Sequence, residues 1–141
     1  MKQLKLDYIT IEPISAIKKQ PIAVIYIHGW KGNKNSFINI AKNMKINYAT
    51  WFFPEGPYIV DSQKEKKSWS YQKDDGSWEI KKTKHLLDDF IINIVLKNFK
   101  PKNIFFIGFS QGGAVCYEHI LSMNYSFGGI FPYAGFIRKN K

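Results

Sequence analysis

An apolar run that ends in a glycine-serine-glycine pattern is the feature that most constrains the fold of this chain. Residues 104–114 read Ile-Phe-Phe-Ile-Gly-Phe-Ser-Gln-Gly-Gly-Ala. The run before the first glycine is apolar throughout, which is typical of a parallel strand buried on both faces. A segment with a helical pattern follows Gly113. The sequence therefore predicts a strand, a tight turn at Ser110 and a helix.

The turn has the Gly-x-Ser-x-Gly pattern of a nucleophile elbow. Such a turn needs residues almost without side chains two positions before and two after the serine, and Gly108 and Gly112 meet that need. It would expose the Ser110 hydroxyl at the strand end and point the positive end of the helix dipole at an oxyanion formed there. The alternative is a glycine-rich turn of another α/β protein, such as a phosphate-binding loop. The spacing here is not G-x-G-x-x-G, and no G-x-x-x-x-G-K-S/T pattern occurs.

Strand and helix patterns alternate along the rest of the chain. Apolar or loosely alternating runs predict strands at residues 3–11, 22–27, 48–53 and 127–131, the first of them an edge strand. Helical spacing predicts a helix capped by Ser36 and another over residues 79–99 that ends before Pro101. The helix after Ser110 is expected to run to about Met123. The buried stripes of the first two helices are Phe37, Ile40, Ala41 and Met44, and Leu87, Phe90, Ile91, Ile94 and Val95. This order predicts an α/β fold, a mostly parallel sheet with helices on both faces.

Residues 58–78 are polar and irregular and are predicted to form a long loop. The segment carries the aromatic residues Trp69, Tyr71 and Trp78 among lysines and serines. These aromatic residues either line a pocket or pin the loop to the domain, and the sequence leaves both open.

Length and charge limit the kind of protein. The 141 residues predict one domain, residues 1–141, and no apolar run approaches the ~20 residues that span a bilayer. The N-terminus lacks the apolar stretch of a signal peptide and Cys116 is the single cysteine, so we expect a cytoplasmic protein. The net charge of +10 comes from 20 lysines and one arginine spread along the chain. A solvated surface explains this better than a specific nucleic-acid or other polyanion site, which remains the weaker alternative.

Three loops that leave the carboxyl ends of predicted strands can converge on one site. They contain His28-Gly29-Trp30, the segment 53–57 and the Ser110 turn. Together with Ser68-Trp69, these segments resemble the phospholipase/carboxylesterase family of α/β-hydrolases, which includes acyl-protein thioesterase-like serine esterases. The resemblance covers residues 22–136 and is most specific at Gly-Phe-Ser-Gln-Gly-Gly-Ala.

The resemblance implies a hydrolase of carboxylic esters or thioesters that needs no metal and no cofactor. Ser110 matches the family's nucleophile. Trp30 and Gln111 match the positions whose backbone N–H groups form the oxyanion hole. The residues expected to line the site are His28, Gly29, Gly112 and Trp69.

The acid and the histidine of a catalytic triad are missing from the expected place. The acid and histidine after Ser110 are Glu118 and His119 on the same helix, and His119 lies ~13 Å along the axis from the serine. We therefore expect both to be ordinary helix-surface residues, and His28 is the histidine to test as a substitute base. The resemblance implies two further strands after Phe136 with an aspartate and a histidine, so the chain is predicted to be C-terminally incomplete.

Incompleteness leaves three explanations: a truncated or split chain, completion by another polypeptide, or a domain that has lost catalysis. An open apolar strand edge near residues 127–131 predicts a homo-oligomer or poor solubility. The second functional hypothesis is a non-catalytic module that holds a small acyl ligand or a partner protein in the same cleft.

Overall fold

The computed structural model describes residues 4–14 and 20–139. Its strands are β1 (Tyr8–Ile11), β2 (Ile22–Ile27), β3 (Ala49–Pro54), β4 (Tyr58–Val60), β5 (Gln63–Ser68), β6 (Tyr71–Gln72), β7 (Trp78–Glu79), β8 (Ile104–Phe109) and β9 (Gly129–Tyr133). Its α-helices are α1 (Ile40–Asn43), α2 (Lys81–Phe90) and α3 (Gln111–Glu118).

Five strands form the central sheet in the order β1-β3-β2-β8-β9. Strands β3, β2, β8 and β9 are parallel, and β1 pairs antiparallel with β3 at the edge. The predicted mostly parallel α/β sheet is thereby confirmed, including the edge position of the first strand. Residue 3 of that predicted strand lies outside the described residues, and residues 4–7 are not in a strand.

The two faces of the sheet are covered unequally. One face packs on α2 and α3 and forms the larger core, with Ile25, Phe106 and Leu87 completely buried. The other face packs on α1 alone through a smaller cluster around Tyr26 and Trp51. Helices therefore lie on both faces, as predicted, but α1 is only four residues long.

Strand β8 shows the effect of this unequal cover. Its residues alternate between buried and half-buried, with Phe106 enclosed and Phe105 and Ile107 half-buried on the second face. An apolar groove of about 580 Å³ runs along that face. The prediction of a strand buried on both faces was therefore wrong for the second face, because α1 is too short to cover it.

The short length of α1 has a local cause. The predicted cap, Ser36, accepts a hydrogen bond from the backbone N–H of Asn33 at 2.8 Å through its hydroxyl. The Asn33 side chain in turn accepts the N–H of Asn35 at 2.8 Å. Such side-chain bonds offer the backbone an alternative to the helix. Turns occupy this segment, and α1 begins at Ile40 without a side-chain cap.

The second predicted helix is confirmed in position and in most of its buried stripe. α2 continues directly into a π-helical turn, Ile91–Val95, and Pro101 begins a 3₁₀ turn. The helix after Ser110 is shorter than predicted, because α3 ends at Glu118 and a single 3₁₀ turn follows. The last strand is shifted two residues to Gly129–Tyr133 and includes Pro132, which the sheet edge tolerates.

Residues 58–78 form two β-hairpins and not the predicted irregular loop. β4 pairs with β5, and β6 pairs with β7, in both cases antiparallel. Asp61 and Ser62 make the first turn with positive φ angles of 52° and 56°. The pattern was missed because β5 reads Gln-Lys-Glu-Lys-Lys-Ser and has no apolar alternation.

Candidate active site

Ser110 lies at the bend between β8 and α3, as its spacing predicts. Its backbone angles are φ 52° and ψ −110°, in a region that non-glycine residues rarely occupy. The Ser110 N–H donates to the carbonyl of Tyr133 at 3.0 Å, and the Ser110 carbonyl accepts the N–H of Ala114 at 3.1 Å. Strain of this kind costs about 1–3 kcal/mol and is held by its surroundings.

The two glycines of the motif allow the backbones around Ser110 to touch. A Cβ atom on Gly108 would overlap the carbonyl group of Gly112. A Cβ atom on Gly112 would overlap the carbonyl group of Ile27, the last residue of β2. The start of α3 is therefore pressed against the end of a neighbouring strand.

His28 is a buried structural residue in the loop after β2. It is 1% exposed, and its Nε2 accepts the backbone N–H of Gly56 at 2.9 Å. Nδ1 must then carry the proton that it donates to the Gly29 carbonyl at 2.7 Å. Burial lowers the pKa of His28 to about 4. Both ring nitrogens are engaged, so the hypothesis of His28 as a substitute base is not supported.

The side chain of Gln111, the first residue of α3, is held by hydrogen bonds to the segment 68–70. Its Oε1 accepts the backbone N–H of Trp69 at 3.0 Å. Its Nε2 donates to the hydroxyls of Ser68 at 2.8 Å and Ser70 at 3.0 Å. This buried network was missed by sequence reasoning, although the Ser-Trp-Ser order at residues 68–70 places two hydroxyls around one tryptophan.

Trp69 joins the same network to the loop after β2. It is completely buried, and its indole N–H donates to the carbonyl of His28 at 2.9 Å. Trp69 therefore pins its segment to the domain. Tyr71 and Trp78 are instead about half exposed and line a cavity, so the open question about the three aromatic residues has a different answer for each.

This cavity, of about 610 Å³, brings together Trp30, Ser110 and Gln111. Within the described part of the chain, the backbone N–H groups of Trp30 and Gln111 have no acceptor. Neither N–H is therefore used by the fold within those residues. The residues expected to line the site lie one layer behind its surface, all of them buried: His28, Gly29, Gly112 and Trp69.

Among the described residues, no histidine lines this cavity. His85 is exposed on α2. His119 is 7% exposed, and its Nε2 lies 2.7 Å from Oδ1 of Asp88. The expectation of a surface position for His119 was therefore wrong, because the end of α3 packs against α2. Glu118 is half-buried and pairs with Arg138.

Within residues 4–14 and 20–139, no helix has the length and apolar character to cross a membrane.

The chain is similar to known hydrolases in sequence and in fold. The family profile for Phospholipase/Carboxylesterase proteins matches residues 10–141. An uncharacterized hydrolase of Schizosaccharomyces pombe is 31% identical over 127 residues, which cover 79% of this chain and 52% of the relative. The solved esterase PE8 has a TM-score of 0.79 at 16% identity, over 95% of this chain and 66% of that one. A phospholipase/carboxylesterase from Dyadobacter fermentans has a TM-score of 0.67 at 19% identity, over 97% of this chain and 63% of that one.

The comparisons also measure how much of a relative this chain represents. It spans about half the length of the curated relative, 52%, and 66% of the esterase PE8. The family profile matches residues 10–141, which is more than nine tenths of the chain, and the fold is similar to that of both solved structures. The chain therefore belongs to the phospholipase/carboxylesterase family of α/β-hydrolases.

Proposed function

We propose that this chain carries the nucleophile and the oxyanion hole of a serine hydrolase that cleaves carboxylic esters or thioesters. The observation that carries the proposal is the shared cavity of Ser110 and the two free N–H groups of Trp30 and Gln111. The strained backbone at Ser110 supports it, because strain of this kind is concentrated at functional sites.

In the proposed reaction the Ser110 hydroxyl attacks the carbonyl carbon of the substrate. The carbonyl oxygen becomes an oxyanion, which the N–H groups of Trp30 and Gln111 stabilise by several kcal/mol in total, roughly 3 kcal/mol for each donor. The alcohol or thiol leaves, and water then hydrolyses the acyl-serine ester. No step of this chemistry uses a metal or a cofactor.

The Ser110 proton has to pass to a base, because a serine hydroxyl is a weak nucleophile without one. His28 has both ring nitrogens engaged, His119 binds Asp88, and His85 is exposed. We therefore place the base on polypeptide beyond this span, in the part of the relatives that this chain does not cover. The 141 residues alone are then expected to turn over substrate very slowly.

The sheet edge at β9 is where additional polypeptide could pair with this chain. Within the described residues β9 pairs with β8 alone, and its Phe131 and Tyr133 are 56% and 71% exposed. Both side chains border the apolar groove on the second face. An apolar edge of this kind promotes association. The occupant in this proposal is either a completing polypeptide or a second copy of the chain.

Labelling with a fluorophosphonate probe, read by mass spectrometry, tests the nucleophile. Because the base is placed outside this span, we expect slow adduct formation at high probe concentration in the wild type and in the control Ser126→Ala, which alters an exposed serine, and none in Ser110→Ala. An adduct that persists in Ser110→Ala would exclude Ser110 as the nucleophile.

A non-catalytic binding module is the second candidate, favoured by the absence of a histidine from the cavity among the described residues. It predicts no burst of product from p-nitrophenyl esters even at high protein concentration, and no adduct with the fluorophosphonate. A stoichiometric burst that Ser110→Ala abolishes would contradict it.

A further inference from the structure

Two residues hold all the buried side-chain nitrogen and oxygen atoms without a hydrogen-bond partner in the described part of the chain. These atoms are Oη of Tyr58 and the three guanidinium nitrogens of Arg138. Both residues line the cavity that contains Ser110. Since about 90% or more of buried polar groups in native proteins are paired, two residues with unpaired donors in one cavity make this part of the wall a candidate site for a ligand that supplies acceptors.

Arg138 is held in place by contacts that leave most of its donors unused. Its guanidinium carbon lies 4.4 Å from the ring centre of Trp78 and 5.9 Å from that of Phe136. Its Nε lies 2.9 Å from Oε1 of Glu118, but without the geometry of a hydrogen bond. The chain has 21 basic residues, and Arg138 is the only arginine among them. Arginine presents a rigid fork of donors that matches a carboxylate, which lysine does not.

Tyr58 approaches the same hairpin as Arg138. Its ring lies edge-on to Tyr71, with 5.1 Å between the ring centres, and the Lys82 ammonium lies 5.7 Å from its centre. Tyr71 and Trp78 are on the paired strands β6 and β7, where Gln72 is the partner of Trp78. The phenol and the guanidinium therefore each contact one strand of this hairpin, and both residues line the cavity that runs past it.

We propose that Tyr58 and Arg138 form a subsite for a carboxylate carried by the ester substrate, so that the cavity selects esters with a second, acidic end. This inference rests on the proposed ester chemistry at Ser110. A singly charged carboxylate fits better than a phosphate, because it adds less negative charge to a site where Glu118 already faces Arg138. The guanidinium nitrogens are enclosed, so the indole of Trp78, which is 46% exposed, has to swing aside for the carboxylate.

The test compares two ligands that differ only in the free acid, monomethyl glutarate and dimethyl glutarate. Because Arg138 is the single arginine, its Nε–Hε signal in a ¹⁵N correlation spectrum is assigned without further labelling. We expect monomethyl glutarate to shift this signal saturably and to bind at least about tenfold more tightly than the diester, the ratio given by one charge-assisted hydrogen bond.

Variants test whether the preference for the monoester depends on Arg138 and Tyr58, and not on overall charge or on the reaction at Ser110. The preference for the monoester should disappear in Arg138→Gln and fall in Tyr58→Phe, and it should persist in Lys97→Gln, which removes one exposed positive charge elsewhere. It should also persist in Ser110→Ala, which abolishes fluorophosphonate labelling and leaves the subsite intact. Thus a failed labelling experiment with an intact preference would remove the hydrolase function but not the subsite.

Equal affinity of the wild type for the two esters would overturn the subsite, and this comparison needs no variant. A preference that survives unchanged in folded Arg138→Gln would overturn it as well.

Discussion

The backbone N–H of Trp69 donates to the side-chain Oε1 of Gln111 at 3.0 Å, and this bond joins the end of a hairpin to the first residue of α3. The bond is buried, and the residue after Ser110 is thereby fixed by a part of the chain more than 40 positions away. The position of one proposed oxyanion donor thus depends on a side chain that makes no contact with substrate in the proposed reaction.

Replacement of Gln111 by leucine should therefore destabilise the fold. Gln111→Leu keeps the approximate volume, but it leaves the buried Trp69 N–H without an acceptor and removes the donor to the hydroxyls of Ser68 and Ser70. Unpaired buried donors cost about 1–3 kcal/mol, so we expect a loss of that size in the free energy of unfolding measured with urea. The control is Gln63→Leu at an exposed position, for which a change within about 0.5 kcal/mol is expected. Equal effects of the two substitutions would contradict the role of the network.

Stability should fall in acid because of His28. Its pKa is about 4 in the folded protein and 6.5 in the unfolded chain, so below pH 6.5 the unfolded state binds the proton more strongly. The stabilisation by neutral His28 is complete above pH 6.5 and is lost as the pH falls towards 4, by roughly 3 kcal/mol in all.

Urea unfolding between pH 7 and pH 4 measures this loss. In His28→Gln the fall over that range should be smaller by a similar amount. In His85→Gln, which alters an exposed histidine, the fall should match that of the wild type. Identical pH dependence of the wild type and His28→Gln would show that His28 is not the cause.

His119 and Asp88 should be coupled in stability but not in the chemistry of Ser110. Their side chains lie 2.7 Å apart at the contact of α3 with α2. A double-mutant cycle with His119→Ala and Asp88→Ala should give an interaction free energy on the order of 1 kcal/mol, and a cycle with Asp89→Ala should give almost none. Fluorophosphonate labelling of Ser110 should persist in His119→Ala. If the folded variant is not labelled, His119 becomes a candidate for the base.

Self-association should depend on the open face of the sheet. Phe131 is 56% exposed beside the apolar groove, so Phe131→Lys should lower the weight-average mass measured by sedimentation at high protein concentration. Leu121 is similarly exposed, at 59%, but does not border the groove, so Leu121→Lys should leave the mass unchanged. A wild-type chain that stays monomeric at high concentration would contradict the prediction.

The sequence was sufficient for the elements that apolar runs define. Strands β2, β3 and β8 were predicted within a residue or two, because each is a continuous apolar run bounded by glycine or proline. The bend at Ser110 was predicted because Gly108 and Gly112 lie two residues before and after it. In the structure a Cβ atom at either glycine would overlap a backbone carbonyl group. The limits of α1 were not predicted correctly. The side chains of Asn33 and Ser36 form hydrogen bonds with backbone N–H groups, and these favour turns where the apolar spacing predicts a helix.

The sequence predicted that Trp30, Ser110 and Gln111 lie close together, but it did not predict the walls of the cavity that they share. Trp30, Ser110 and Gln111 follow strand ends, so topology alone brings them together. In the hairpins that complete the cavity, β5 is polar and β6 has only two residues, so neither carries a strand pattern. The pairing of Tyr58 and Arg138 with that cavity joins residues 80 positions apart, which no local pattern records.

The contact of Gly112 with Ile27 has a consequence for how such a cavity can diversify. Main chain meets main chain there, so no side chain stands between the two strand ends for a substitution to enlarge or shrink. We therefore expect variation in ligand preference to arise in the two hairpins, whose side chains can be substituted one at a time while the backbone contact beside Ser110 stays the same.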